Sequence, residues 1–224
     1  MTDILGGKML HKIKEPMNSL THLIGVILSI IGTSVLIVLA VQDATVWHVV
    51  SFAIFGASMI LLYTASTLYH ALPLSERGIQ VLHRIDHMMI FVLIAGTYTP
   101  ICLVPLRGGW GWTIFGIIWG LAIVGILLKV FWFDAPRWLS TSFYVAMGWV
   151  AIIAFIPIIK TIPLAGVAWL VAGGVFYTIG AVIYGLKKPD IFKKYLGFHE
   201  IFHIFVLFGT LCHFVLMIQY ILYL

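Results

Sequence analysis

Seven apolar stretches, each near the roughly 20 residues that a helix needs to cross the hydrocarbon core of a bilayer, divide this chain almost from end to end. They run at Leu20–Val41, Trp47–Ala71, His83–Leu106, Trp110–Trp132, Trp138–Ile159, Leu164–Leu186 and Phe198–Tyr223, with short connections between them. A soluble domain carries about 25% charged residues. Here 9% are charged and 62% hydrophobic, at a mean hydropathy of +1.11, so the sequence predicts an all-α integral membrane protein, a seven-helix transmembrane bundle. No Ser/Gly/Pro-rich linker or charge run separates a second unit. Residues 1–224 are therefore read as one transmembrane domain behind a short cytoplasmic segment, 1–19. The first stretch is too long for a signal-peptide core and lacks a small-residue cleavage site after it, so it is expected to stay as a helix. Cys102 and Cys212 stand in apolar runs without CxxC-type spacing and are expected to be packing residues.

The basic residues orient the bundle. With a cytoplasmic N-terminus, Lys8, Lys12, Lys14, Arg77, Arg84, Lys129, Arg137, Lys187, Lys188, Lys193 and Lys194 all face inward, and only Arg107 and Lys160 face outward. The positive-inside rule thus predicts N-in and C-out. The formal charge of +5 then meets anionic lipid heads, and no nucleic-acid partner is needed to explain it. Trp47, Trp110 and Trp112 at outer ends, with Trp132 and Trp138 at inner ends, suit interfacial belts.

Within these greasy stretches stand a few ionisable groups. A charge at a helix centre costs roughly 2.5–3.5 kcal/mol on insertion scales, so each such group needs a reason to be there. In the predicted topology the second stretch ends near His70, while the third and seventh begin near Asp86 and His199, which brings all of them to one depth on the cytoplasmic side. His199 and His203 are four apart and project from one side of a helix, so two imidazoles can share one ion. His70 supplies a third nitrogen, and three protein ligands plus a water make the usual open zinc site, although imidazole also suits copper, iron and nickel. Ser66, one turn before His70, and Asp86, one turn after His83, could hold the water, and Asp86 can accept its proton. The blander expectations are a hydrogen-bonded packing histidine, a Ser66 that bonds its own helix, and an Asp86 paired with Arg84 or a histidine. A single metal, however, satisfies all of these polar groups together in a dry bundle. His83 and His87 flank Asp86 as supporting donors or alternative ligands. His11, His48 and His213 have no such company and are left unassigned.

The seventh stretch also spells His199-Glu200-Ile201-Phe202-His203, the HExxH pattern of zinc proteases. No carboxylate follows Glu200 anywhere in the chain, and Gly209 stands where a metzincin would have its third histidine. The protease reading is therefore the weaker one, with Glu200 expected at the inner interface near Lys193 and Lys194. Glu15 precedes Pro16, as at a helix start. Glu15, Asn18 and His22 also form a polar stripe at i, i+3 and i+7 that could close the mouth of the site and orient a ligand or substrate.

Taken in order, Glu15-x-x-Asn18-x-x-Thr21-His22, Ser66-x-x-x-His70, His83-Arg84-Ile85-Asp86-His87 with Ala95-Gly96-Thr97-Tyr98-Thr99-Pro100, and His199-x-x-x-His203 resemble the hemolysin III family. That family is the bacterial branch of the progestin and adipoQ receptor group, which includes the adiponectin receptors. The resemblance covers nearly the whole chain. It implies seven helices with a cytoplasmic N-terminus, a zinc ion on His70, His199 and His203, and water-holding positions at Ser66 and Asp86. It further implies a kinship with ceramide-amide hydrolysis, whereas the haemolysin name describes lysis and not a reaction. The receptors' long N-terminal cytoplasmic domain is not expected of this chain, which speaks against a hormone-receptor role.

The combined expectation is a zinc-dependent hydrolase that cleaves a lipid amide or ester from within the membrane, with membrane lipids as substrate or ligand. Its alternatives are a metal-stabilised receptor-like or membrane-homeostasis protein and a pore-forming haemolysin, for which the outer helix halves offer little polar lining. Gly116-x-x-x-Gly120, Gly25-x-x-x-Ser29 and Gly173-Gly174 are expected to let helices approach closely. Pro100 and Pro157 are expected to bend or end their helices, with Gly96 easing the strain before Pro100.

Overall fold

A computed structural model of the chain describes residues 13–132, 134–189 and 197–224. Lys8, His11, Lys12, Lys193 and Lys194 lie outside the described residues. Seven helical spans are long and apolar enough to cross a membrane. They comprise α1 (Pro16–Asp43), α2 (Val46–Ala71), α3 (Glu76–Leu103), α4 (Gly109–Phe131), α5 (Arg137–Gly148) continued through a 3-10 stretch (Trp149–Ala154) into α6 (Phe155–Thr161), α7 (Leu164–Leu186) and α8 (Phe198–Gln219). Among the described residues there is no strand.

The local chemistry explains where these elements begin and break. Helix α3 starts at Glu76, seven residues before the apolar stretch, because Ser75 caps it by accepting from the Gly78 amide. The acidic Glu76 also suits the positive end of the helix dipole. Two polar turns therefore precede Asp86. Pro157 lacks an amide hydrogen and cannot bond back one turn. The chain ahead of it tightens into the 3-10 stretch. The Tyr98 hydroxyl bridges this break, donating to the Gly148 carbonyl at 2.6 Å and accepting from the Ala151 amide at 2.8 Å.

Packing centres on α2, α3 and α8, with Phe52, Phe55, Tyr63, Phe91 and Leu216 almost fully buried. Small residues set the close approaches, though not all of those expected. A Cβ on Gly25 would come within 2.7 Å of the Tyr63 ring, and Gly96 lies against Ser58 of α2, so its task is α2–α3 contact as well as relief of Pro100. Gly116 and Gly120, by contrast, face open space, because that side of α4 points away from the other helices. At the far end of the bundle His48 is a stitch, its ring bonding Thr45 at 2.9 Å and lying 3.1 Å from the Ile221 carbonyl. Cys102 and Cys212 are free and buried. Lys129 Nζ donates to Ser140 Oγ at 2.6 Å and ties α4 to α5.

Candidate metal centre

The start of α1, the end of α2 and the starts of α3 and α8 meet at one end of the bundle. There His70, His199 and His203 each offer a ring nitrogen, and these atoms all lie within 4.8 Å of one another. His70 and His203 are each only 1% exposed. The second and seventh spans thus supply one shared group of three imidazoles that could hold a metal ion.

The surrounding hydrogen bonds decide which nitrogens are free. His70 Nδ1–H donates to Glu15 Oε2 at 2.6 Å, and the lone pair on Nε2 remains. Thr21 commits its only hydroxyl hydrogen to the Asn18 carbonyl at 2.8 Å. Toward His203 Nδ1, 3.1 Å away, Thr21 can therefore only accept, so that ring too carries its proton on Nδ1 and keeps Nε2 for a ligand. His199 Nε2 stands 3.3 Å from His70 Nε2. Two nitrogens bound to one tetrahedral zinc at 2.0–2.1 Å sit about 3.3 Å apart, so the donor set fits such an ion. A ligand histidine whose other nitrogen is held by a carboxylate or hydroxyl has its tautomer and ring direction fixed.

Glu15 is therefore more than a helix start. Its side chain makes no capping bond to α1, and it receives a second bond from Asn18 Nδ2 at 3.1 Å. The hydrogen bond from His70, reinforced by the nearby Lys14, holds the Glu15 carboxyl well below the usual range, at about 2, against the opposing effect of partial burial. Thr21 occurs in the motif, but no role follows for it from sequence alone. Its position, three residues after Asn18, could have placed it beside that residue on α1. His22 stacks on His203 with centroids 3.6 Å apart and planes at 16°. Its two ring nitrogens are buried and have no hydrogen-bond partner.

Ser66 and Asp86 both line the cavity that opens beside the three histidines. The Ser66 hydroxyl does not bond its own helix; it is buried beside the Asp86 carboxylate, unlike Thr67, which bonds the Tyr63 carbonyl at 2.7 Å. Asp86 is half-buried, and the space it faces is this internal cavity. His83 and His87 stand outside the three-nitrogen group. His83 stacks on Tyr69, and His87 bonds the His83 carbonyl at 2.9 Å and Tyr184 Oη at 3.1 Å. Glu200 accepts from the Gly197 amide at 2.9 Å, which makes the glutamate of HExxH a helix-capping group.

The cavity has a volume of about 250 Å³. From the polar end it extends between α3, α5, α7 and α8 along walls that are almost wholly apolar. Tyr177 is among the polar side chains on its flank, and its hydroxyl is already taken up by Thr210 Oγ1 at 2.8 Å. An open trio of imidazoles, a carboxylate and a hydroxyl at the head of a greasy slot can bind a cation, place a carbonyl beside it and shelter a hydrocarbon chain.

The chain's similarities lie in one direction. The profile of the family described as Haemolysin-III related matches residues 10–214. The hemolysin-3 homolog of Bacillus subtilis (strain 168) is 43% identical over 207 residues, which cover 92% of this chain and 94% of that protein. Hemolysin-3 of Bacillus cereus is 40% identical over 218 residues, 96% and 95% of the two chains. More distantly, the monocyte to macrophage differentiation factor of Homo sapiens is 25% identical over 205 residues, 88% of this chain and 80% of its own.

Proposed function

Because this chain belongs to the haemolysin-III-related family and is a multi-pass membrane protein, we propose that it is a zinc-dependent hydrolase acting on a lipid amide or ester within the bilayer. The observation that carries this reading is the meeting of His70, His199 and His203 with Asp86 and Ser66 at the head of one apolar cavity. Zinc held on the three histidines would supply Lewis acidity, polarising a carbonyl and acidifying water toward neutral pH. The protein's own groups do the rest. Glu15 and Thr21 hold the His70 and His203 rings in one direction, so nothing need reorganise during the reaction. Asp86 takes the proton from the attacking water and returns it to the departing amine or alcohol. Ser66, beside Asp86, donates its hydroxyl to the oxyanion that develops on the carbonyl. The apolar walls accept the acyl chain and exclude bulk water. The excess of basic residues at this end of the bundle supports a cytoplasmic position for the site.

Metal analysis of the purified chain, followed by mass spectrometry of lipid amides and esters incubated with it, tests the reading. About one zinc per chain and turnover that disappears in His203→Ala are expected. Absence of zinc, or turnover that survives His203→Ala, overturns it. A metal whose removal by chelator lowers the melting temperature while no lipid product forms at any stage would make the centre structural, as in a receptor-like protein.

A further inference from the structure

His213 is the one histidine of α8 outside the metal centre, and it lies ten residues beyond His203 on the same helix. It is only 5% exposed, yet it forms part of the wall of the same cavity, toward the end away from the metal centre. Its Nε2 lies 3.3 Å from the Leu170 carbonyl on α7. A carbonyl can only accept, so Nε2 carries the proton and Nδ1 is left as an acceptor. That Nδ1 is buried and has no partner. An unsatisfied acceptor in an apolar setting is costly, and an apolar residue would have filled this place without that cost. The neighbouring helix makes room for the ring: a Cβ on Gly173 would come within 2.5 Å of Nε2.

We propose that His213 reads a hydroxyl on the chain that enters the cavity. The argument rests on the reading above, in which the cavity holds an acyl chain, and it narrows the chemical class of that chain. An acceptor without a donor calls for an O–H, whereas a carboxylate or ketone oxygen leaves it unsatisfied. Ten residues of α-helix rise about 15 Å, which an extended hydrocarbon chain covers with about a dozen carbons. The preferred ligand is therefore an acyl chain that bears its hydroxyl about twelve carbons from the carbonyl held at the metal centre.

The test compares binding of ω-hydroxy fatty acids of 8, 12 and 16 carbons with the unsubstituted acids of equal length. It uses the full chain in lipid nanodiscs with zinc present. Each ratio of hydroxylated to plain acid cancels the partitioning of the chain itself. The ratio is expected to peak at 12 carbons, where the hydroxyl tightens binding about three- to tenfold relative to the other lengths, as one net hydrogen bond would. In His213→Phe the peak should vanish while plain dodecanoate still binds. A ratio that is flat across the three lengths, or a peak that survives His213→Phe, overturns the proposal and leaves only a trapped water to satisfy Nδ1. If His213→Phe does not fold, the length series on the unaltered chain decides alone. Should no acid bind at any length, the acyl cavity fails together with the hydrolase reading, a result distinct from binding without preference.

Discussion

The helices that carry the candidate chemistry and those that surround them are built differently. In their most apolar stretches α2, α3 and α8 are 56%, 61% and 50% buried, whereas α1, α4, the fifth span and α7 reach only 28%, 28%, 17% and 22%. His70 and Ser66 stand on α2, Asp86 on α3, and His199 and His203 on α8. Groups that must hold a fixed geometry have thus been placed where neighbouring side chains leave least freedom. The outer helices spend their surface on lipid and contribute selectively: α1 offers Glu15 and Thr21 from outside the inner three, and the fifth span and α7 lend the cavity its greasy flank.

This contrast can be broken most sharply at Asp86 on the inner helices. Asp86→Asn keeps the shape and removes the proton acceptor, so lipid turnover should fall by about 10²–10⁴-fold. Zinc content, measured in parallel, should stay at the unaltered level. Loss of both together would show Asp86 to be part of the metal's support. A smaller effect is expected on the outer helix. Glu15→Gln leaves all three histidines in place but weakens the anchoring of His70, and zinc affinity in a competitive chelator titration should drop about 10–100-fold. An unchanged affinity would return Glu15 to a helix-start role. The smallest effects come from two glycines. Gly25→Ala, which presses on Tyr63, should cost about 1–3 kcal/mol in thermal or denaturant unfolding. Gly116→Ala, facing open space, should be neutral or gain up to about 1 kcal/mol from helix propensity. Equal costs at both positions would mean that the face of α4 is covered by something else.

The seven spans were legible because apolar runs of the right length have few other uses. The pair His199/His203 was legible because a spacing of four fixes two side chains on one side of a helix. His70, Ser66 and Asp86 followed from counting which helix ends share a depth. What remained hidden depends on partners far away in sequence. The acceptor role of Thr21 is set by a ring 182 residues later, and the bond from His213 runs to a carbonyl 43 residues earlier. The early start of α3 escaped because Glu76, Arg77 and Gln80 interrupt the apolar pattern while a serine cap begins the helix all the same. Gly116 and Gly120 misled because small residues permit an approach without naming a neighbour, and here none came. The glutamate of HExxH was ambiguous for another reason, since the same residue serves equally well to cap a helix, as it does here.

The Lys14 and Glu15 amides donate to the carbonyls of Ala71 and His70, at 3.3 and 2.8 Å. Terminal carbonyls of a helix ordinarily rely on solvent, and last turns are where helices unravel. Here the segment that leads into α1 is tied to the tail of α2, by the same residue whose carboxylate grips His70. Unpicking that seam would loosen a backbone turn and an imidazole in a single motion, so a pull on residues 13–15 arrives at the histidines as a change in their readiness to grasp an ion.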